Sequence, residues 1–332
     1  MFELARHMAR HTDTRLVTFG DRDEDVEMDG LRVTVAATRW LVRGQRANPM
    51  AWRAISAVSR ADVVHCHQQH ILATSLAALA GRVRGRRVFC TDLGGGGWDI
   101  SGYVSTDRLF HGHLHISRYS RHVFGHDGLA TARVIYGGVD ADRFSPGAEA
   151  RDIPVLYVGR LLPHKGVDAV IEALPAGVEA VVAGPAADAR FVEDLKRLSS
   201  GKSVRFVHDA DDAQLIALYR RARIVILPSV YRDRYGNETR VPELLGQTLL
   251  EGMAAGAATI CTDVASMPEI VQHGVTGLVV PPNDIPALGA AIALLAGDAT
   301  RTAEMGRLGR ERACSTFSWS AVVDRCLEAY AA

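Results

Sequence analysis

Lysine is almost absent from this chain: Lys165, Lys196 and Lys202 stand against 35 arginines in 332 residues. Neither sign of charge is in excess, with 38 Lys plus Arg against 38 Asp plus Glu. No global field therefore gathers nucleic acid or an acidic membrane, and nucleic acid is excluded as the expected partner. The five cysteines (Cys66, Cys90, Cys261, Cys314 and Cys326) are scattered and form no C-x-x-C pair. That pattern argues against a disulfide frame and suits reduced thiols in the cytoplasm. No apolar run approaches the roughly 18 residues of a spanning helix, and the opening MFELARHMAR lacks the apolar centre of a signal peptide. The expected location is the cytoplasm, with any membrane contact peripheral at the inner face. The basic run RVRGRR (82 to 87) is the candidate for such a contact, against the simpler reading of a solvated loop.

What the chain does have is apolar mass: 48% of its residues, enough for two cores side by side. Short Val/Ile-rich runs alternate with longer segments of helical spacing, the signature of βαβ units and parallel sheets. Strands are expected at 15–19, 62–66, 87–91, 113–117 and 133–137, then after a turn-rich stretch at 153–159, 178–184, 203–207, 223–228, 257–262 and 276–281. In the second series helices are expected at 166–174, 188–199, 211–221 and 247–255. The reading is α/β, two doubly wound Rossmann-like domains in tandem, with a linker near 140–152. The boundaries fall at 1–148, 149–316 and a final helix at 317–332.

In such sheets ligands sit beyond the carboxyl ends of strands, and anions favour helix N-termini. The segment GRLLPHKG (159 to 166) places Gly159, Arg160 and Lys165 at one strand end, where two cations can face an anion; the alternative is a solvated basic loop. Further on, Glu243 precedes Gly246 at an expected helix start and Glu251 follows within the helix. At the helical rise the two carboxylates would stand about 12 Å apart, too far for the carboxylate pair of a glycosidase but suited to a long ligand. Taken alone, that spacing is equally compatible with an ordinary surface helix. The pairs Asp21/Asp23, Asp140/Asp142 and Asp209/Asp211 look like chance rather than a cation site. The histidines His65, His67, His70, His111, His113 and His115 have no fixed ligand spacing and read as lining or surface residues, so no metal ligand is expected. CTDLGGGGWD (90 to 99) follows a strand, and its glycines could offer N–H groups to an anion or sugar, or form a bare flexible loop.

Together, GRLLPHKG, the Glu243-x7-Glu251 element, PEIV (268 to 271) and TGLVVP (276 to 281) resemble the family-4 retaining glycosyltransferases of GT-B fold. The resemblance covers nearly all of 133–330, and YGGVDADRF (136 to 144) looks like the family's linker. It implies a donor site in a cleft between the two domains, with Arg160 and Lys165 on the donor diphosphate and Glu243 on the transferred sugar. It also implies Gly246 with its neighbours Leu244, Leu245 and Gln247 at the phosphate, Glu251 on the ribose, and Gly159 and Val207 lining the donor side near the base. The final helix would cross back to the first domain. On the acceptor side, DVVHCH (62 to 67) is similar to a family strand, which puts His67 in the cleft with Asp92, Gly94 and Gly95 nearby. Asp92 stands where many relatives carry a histidine. The expected partners are a nucleotide-diphosphate sugar as co-substrate and a glycan, lipid-linked or small-molecule acceptor, with no cofactor and no metal. A weakly catalytic sugar-nucleotide-binding relative and a sugar-nucleotide epimerase are the alternatives.

Three departures from the family stand out. The chain opens inside what reads as a first helix, so about 20 upstream residues, a strand plus loop, are expected to be missing. Residues 230–242 form an insertion, read as a solvated loop, and Ala258 replaces a usual proline.

Overall fold

The computed structural model describes residues 1–58, 60–95 and 97–332. It divides into two compact units, Met1–Tyr136 with Trp319–Ala332, and Gly137–Ser318.

The first unit runs α1 (Phe2–Met8), β1 (Arg15–Gly20), β2 (Glu24–Met28), β3 (Leu31–Ala37), β4 (Trp40–Leu41), β5 (Pro49–Met50), α2 (Trp52–Val58), β6 (Val63–Cys66), α3 (Leu72–Val83), β7 (Arg87–Cys90), β8 (Gly112–His115), α4 (Arg118–Val123) and β9 (Ala132–Val134). Strands β6-β7-β8-β9 form a parallel sheet, and β1-β3-β2 a separate one. β1 lies parallel to β3 and β2 antiparallel to it. The β2–β3 hairpin lies where the sequence reading placed no strand. Its turn is Asp29-Gly30, both at positive φ (50° and 76°), the conformation a two-residue hairpin turn requires. Glu24, Asp25 and Glu27 mask β2 by charge, and only the alternation of β3 buries apolar residues, Leu31 and Val33.

The second unit runs β10 (Ile153–Val158), α5 (Val167–Ala173), β11 (Ala180–Ala183), α6 (Ala189–Leu198), β12 (Val204–Val207), α7 (Asp212–Arg221), β13 (Ala222–Leu227), α8 (Gln247–Ala254), β14 (Ala258–Thr262), α9 (Met267–Ile270), β15 (Gly277–Val280), α10 (Ile285–Gly297) and α11 (Ala299–Thr316). All six strands are parallel, in the order β12-β11-β10-β13-β14-β15. This is the doubly wound order in which the direction of strand addition reverses between β10 and β13. Val155, Leu156 and Tyr157, Ile224 to Ile226, and Ala258 and Ile260 are fully buried, as strands covered on both faces must be. On this sheet α8 packs with α11, and α5 with α6 and α10.

The two units divide at Tyr136/Gly137 and at Ser318/Trp319. Residues 137–148 belong to the second unit because their contacts are there: Val139 N–H bonds Phe317 O at 2.7 Å, and the Phe144 ring meets Tyr219 edge-on at 5.5 Å. α12 (Trp319–Ala331) belongs to the first unit, where Val322, Val323, Cys326 and Ala329 pack with Leu4, Met8, Phe89, Leu114 and Ile135. Among the described residues no helix is long and apolar enough to cross a membrane.

Candidate functional site

The reversal between β10 and β13 leaves a crevice at their carboxyl ends, where ligands of doubly wound sheets bind. Three segments converge there: residues 159–166 after β10, residues 228–246 after β13, and the first turn of α8. Lys165 Nζ donates to Glu243 Oε1 at 2.5 Å and to Pro242 O at 3.1 Å, both side chains being 13% exposed. Ser229 Oγ donates to the same Glu243 oxygen at 3.0 Å. An ammonium has three donors, so one of Lys165's remains for an incoming oxyanion. Arg160 is exposed, and its guanidinium has no partner among the described residues. One cation is thus fixed in place and the other is open to a ligand.

The helix α8 begins at Gly246, in the left-handed region at φ 84°, with no side-chain cap on its first turn. Thr248 Oγ1 donates to Val158 O at 2.9 Å and Gln247 Nε2 to Gly138 O at 3.3 Å, which pins this turn to the end of β10. The uncapped N–H groups and the dipole favour an anion here. Glu243 lies before the helix, not on it, so the 12 Å spacing inferred from helical rise does not apply. Leu245 is buried against Gly137. Glu251, one turn into α8, accepts the Tyr219 hydroxyl at 2.7 Å, and burial raises its pKa. Val207 ends β12, its carbonyl taking Gly184 N–H at 2.8 Å. Tyr219, Ser229 and Thr248, which hold these groups, were passed over in sequence because each sits in a stretch read only as strand or helix.

Residues 230–242 form a mostly exposed loop, as expected, and this loop carries internal order. Arg232 bridges Glu238 antiparallel, and Asp233 Oδ1 takes the N–H groups of Tyr235 and Asn237 at 2.9 Å each. Arg234 reaches Asp168 and Glu172 of α5 at 3.5 and 3.4 Å, while the Tyr231 hydroxyl accepts Ala265 N–H at 3.1 Å. Asp168 is 8% exposed, and burial, opposed by Arg234, raises its pKa to about 6. The folded chain therefore binds this proton more tightly than the unfolded chain. The stabilisation is complete below the unfolded pKa near 4 and is lost as pH rises through 6. Asp168→Asn should remove that dependence. Urea titrations between pH 4 and 7 are expected to show the variant gaining about 2 to 3 kcal/mol on wild type as pH rises, whereas a constant difference would rule the linkage out.

In the first unit, His65 joins Thr91 Oγ1 at 2.8 Å and the Tyr330 hydroxyl at 2.7 Å, and its ring lies 4.3 Å from that of His67. Burial lowers the pKa of both. Asp92 is buried and holds backbone: Oδ1 takes Gly94 N–H at 2.9 Å and Oδ2 takes Gln69 N–H at 3.3 Å. The Gly94 N–H, expected to be open, is engaged. Gly95 sits at φ 137° beside the Gln68 amide, and Gly96 of the same glycine run lies outside the described residues. His113 and His115, read as lining or surface, are each 2% exposed. The aspartate pairs have local work: Asp23 binds Arg39 and Ala37 N–H, Asp140 takes two turn N–H groups, and Asp211 caps α7. Within 82–87, Arg82 is held by His111 and Arg108 O, and Arg86 by Asp62.

The family described as Glycosyl transferases group 1 matches residues 139–312. A glycogen synthase of Mycobacterium tuberculosis is 30% identical over 82% of this chain and 69% of its own length. An alpha-maltose-1-phosphate synthase of the same organism is 27% identical over 83% and 80%. Among solved structures, Anabaena HepE in complex with UDP and glucose superposes with a TM-score of 0.75 at 18% identity, covering 99% of this chain and 95% of that one. That likeness gives the GT-B fold. With the family match spanning the whole second-unit site and a relative at 30% identity over most of both chains, the chain belongs to the group 1 glycosyltransferases.

Proposed function

We propose that this chain transfers a hexosyl group, with retention of anomeric configuration, from a nucleotide-diphosphate sugar to a glycan, lipid-linked or small-molecule acceptor. The observation that carries the reading is the Lys165–Glu243 pair at the switch point of the sheet, next to the uncapped start of α8 and with Arg160, which has no guanidinium partner among the described residues, on the same strand-end segment. Cleavage of the anomeric bond puts negative charge on the departing diphosphate and positive charge on the sugar ring. Arg160, the third Lys165 donor and the amides at Gly246 to Thr248 meet the first, and Glu243 faces the second. Lys165 is held by folded structure and needs no reorganisation when that charge appears, and Arg160 supplies a second cation, so the reading places two side-chain cations rather than a metal at the diphosphate. The departing phosphate oxygen can take the acceptor proton on the same face, so the reading assigns no protein base.

The test follows the anomeric proton of the product by NMR in a reaction with uridine, guanosine and adenosine diphosphate sugars, with chelator present. An α-donor giving an α-product with release of nucleotide diphosphate supports the reading. A β-product refutes retention, loss of nucleotide-diphosphate binding in chelator refutes metal independence at the diphosphate, and a new sugar still attached to its nucleotide means an epimerase. Glu251→Ala is expected to weaken nucleotide binding about 10- to 100-fold in calorimetry, the worth of hydrogen bonds to a charged group. Tyr219→Phe, which removes only the hydroxyl that orients Glu251, should cost less; equal losses would mean that Glu251 acts only as a structural partner of Tyr219.

A further inference from the structure

Sequence reasoning passed over Asp107 and His126, yet the fold gathers them with His113 at one end of the parallel sheet of the first unit. One ligand atom from each lies within 4.8 Å of the other two. His113 Nε2 stands 3.6 Å and His126 Nε2 3.8 Å from the same oxygen, Asp107 Oδ1. Both distances are too long for hydrogen bonds. His113 is 2% exposed, and neither of its ring nitrogens has a hydrogen-bond partner among the described residues. A buried imidazole ordinarily satisfies at least its N–H, so a residue this deep with both nitrogens idle, one of them aimed at a carboxylate, is an anomaly to be explained.

The surroundings of the cluster are those of an oriented ligand set. His126 Nδ1 lies 3.1 Å from His115 Nε2, a buried imidazole that fixes the orientation of the His126 ring and leaves Nε2 toward Asp107. Asp107 Oδ1 accepts Gln69 Nε2 at 2.6 Å, and Oδ2 accepts Ser105 Oγ at 2.9 Å. Around tetrahedral zinc with bonds of roughly 2.0 to 2.1 Å, neighbouring ligand atoms stand about 3.3 to 3.4 Å apart. The two separations to Asp107 Oδ1 exceed that by a few tenths of an ångström and the third, between the imidazoles, lies within 4.8 Å, so side-chain rotations would have to close the set. The Asp107 side chain is 38% exposed, which leaves one side of the cluster open to solvent.

We propose that Asp107, His113 and His126 form a binding site for a borderline divalent metal ion, zinc foremost, with three protein ligands and solvent at the fourth position. Two imidazoles and a carboxylate suit such ions, whereas calcium or magnesium would need an oxygen set. The site is a brace. It would tie the Asp107 turn to β8 and to the segment after α4, and through Gln69, whose N–H is held by Asp92, to the loop after β6. These are loops of the unit to which the acceptor side is assigned, and they contain no donor-site residue.

The test uses the full chain freed of any histidine tag and stripped with chelator. Titration with Co²⁺ is expected to give visible d–d bands saturating at about one equivalent, which Zn²⁺ then displaces; Asp107→Asn, His113→Gln and His126→Gln should lose them. His122→Gln, an exposed histidine outside the cluster, should keep them. Absence of a saturable band in the wild-type chain, or its persistence in variants with the wild-type circular dichroism spectrum, overturns the site. Should the variants misfold, X-ray absorption of the zinc-loaded wild-type chain decides. Two imidazoles in an N/O shell support the proposal, and sulfur ligation or a shell of water alone overturns it.

Discussion

Replacing Arg160 by alanine is expected to lower kcat for sugar transfer by about 100- to 1,000-fold, the usual cost of removing one donor aimed at developing negative charge. The expectation rests on a difference between the two cations of the strand end. Lys165 is already engaged by Glu243 and Pro242 O, so its position is fixed before any ligand arrives. Arg160 is exposed and has no guanidinium partner among the described residues, so its charge is free to meet a diphosphate. For the same reason Arg160→Ala should leave the melting temperature unchanged. Lys165→Ala should lower both rate and stability, because it strands the largely buried Glu243 carboxylate. Arg160→Lys should recover part of the rate, as a point charge without the bidentate fork. Steady-state release of nucleotide diphosphate at saturating donor separates the cases. An unchanged kcat with a raised KM would mean that Arg160 binds ground and transition states alike, and the proposed role would fall.

The second unit was legible because its central strands, β10, β11, β13 and β14, are buried on both faces. IPVLYVG, VEAVVAG and RIVILP are continuous apolar runs bounded by turn residues, and the cations of GRLLPHKG stand out in a chain with three lysines. Glu243 was legible as a residue but not as a position, because sequence spacing does not show that the chain is irregular until Gly246. The loop at 230–242 reads as solvated from its polar composition and is mostly exposed, but composition does not show its partners distant in sequence: Asp168, Glu172 and Ala265. The first unit hid more. β2 carries Glu24, Asp25 and Glu27 on an edge, and only the Asp29-Gly30 turn announced the hairpin. The Asp107–His113–His126 cluster draws on a turn, a strand and a loop, so no spacing rule could have assembled it.

Gly166→Ala is expected to lower the unfolding free energy by about 2 to 4 kcal/mol, near the upper range for a single methyl group, and to reduce transfer activity with it. Two costs combine. Gly166 sits at φ 69°, where an L side chain costs roughly 1 to 2 kcal/mol. A Cβ there would also stand 2.1 Å from Pro228 O, so backbone must move. The backbone that moves is the one that matters. Gly166 starts α5 directly after Lys165, Val230 N–H bonds His164 O at 2.9 Å, and Pro228 precedes Ser229, which holds Glu243. Relaxation that relieves the clash moves backbone directly next to Lys165 or Ser229, the two residues that hold the Glu243 carboxylate. Urea unfolding and kcat, measured on the same preparation, should therefore fall together. Gly177→Ala is the control. It carries a similar φ of 79° with nothing within 4 Å of the added Cβ, so it should cost only the conformational part and leave kcat unchanged. If Gly166→Ala proved no more costly than Gly177→Ala, the close approach of the Lys165 loop to Pro228 would not be what holds the site in register.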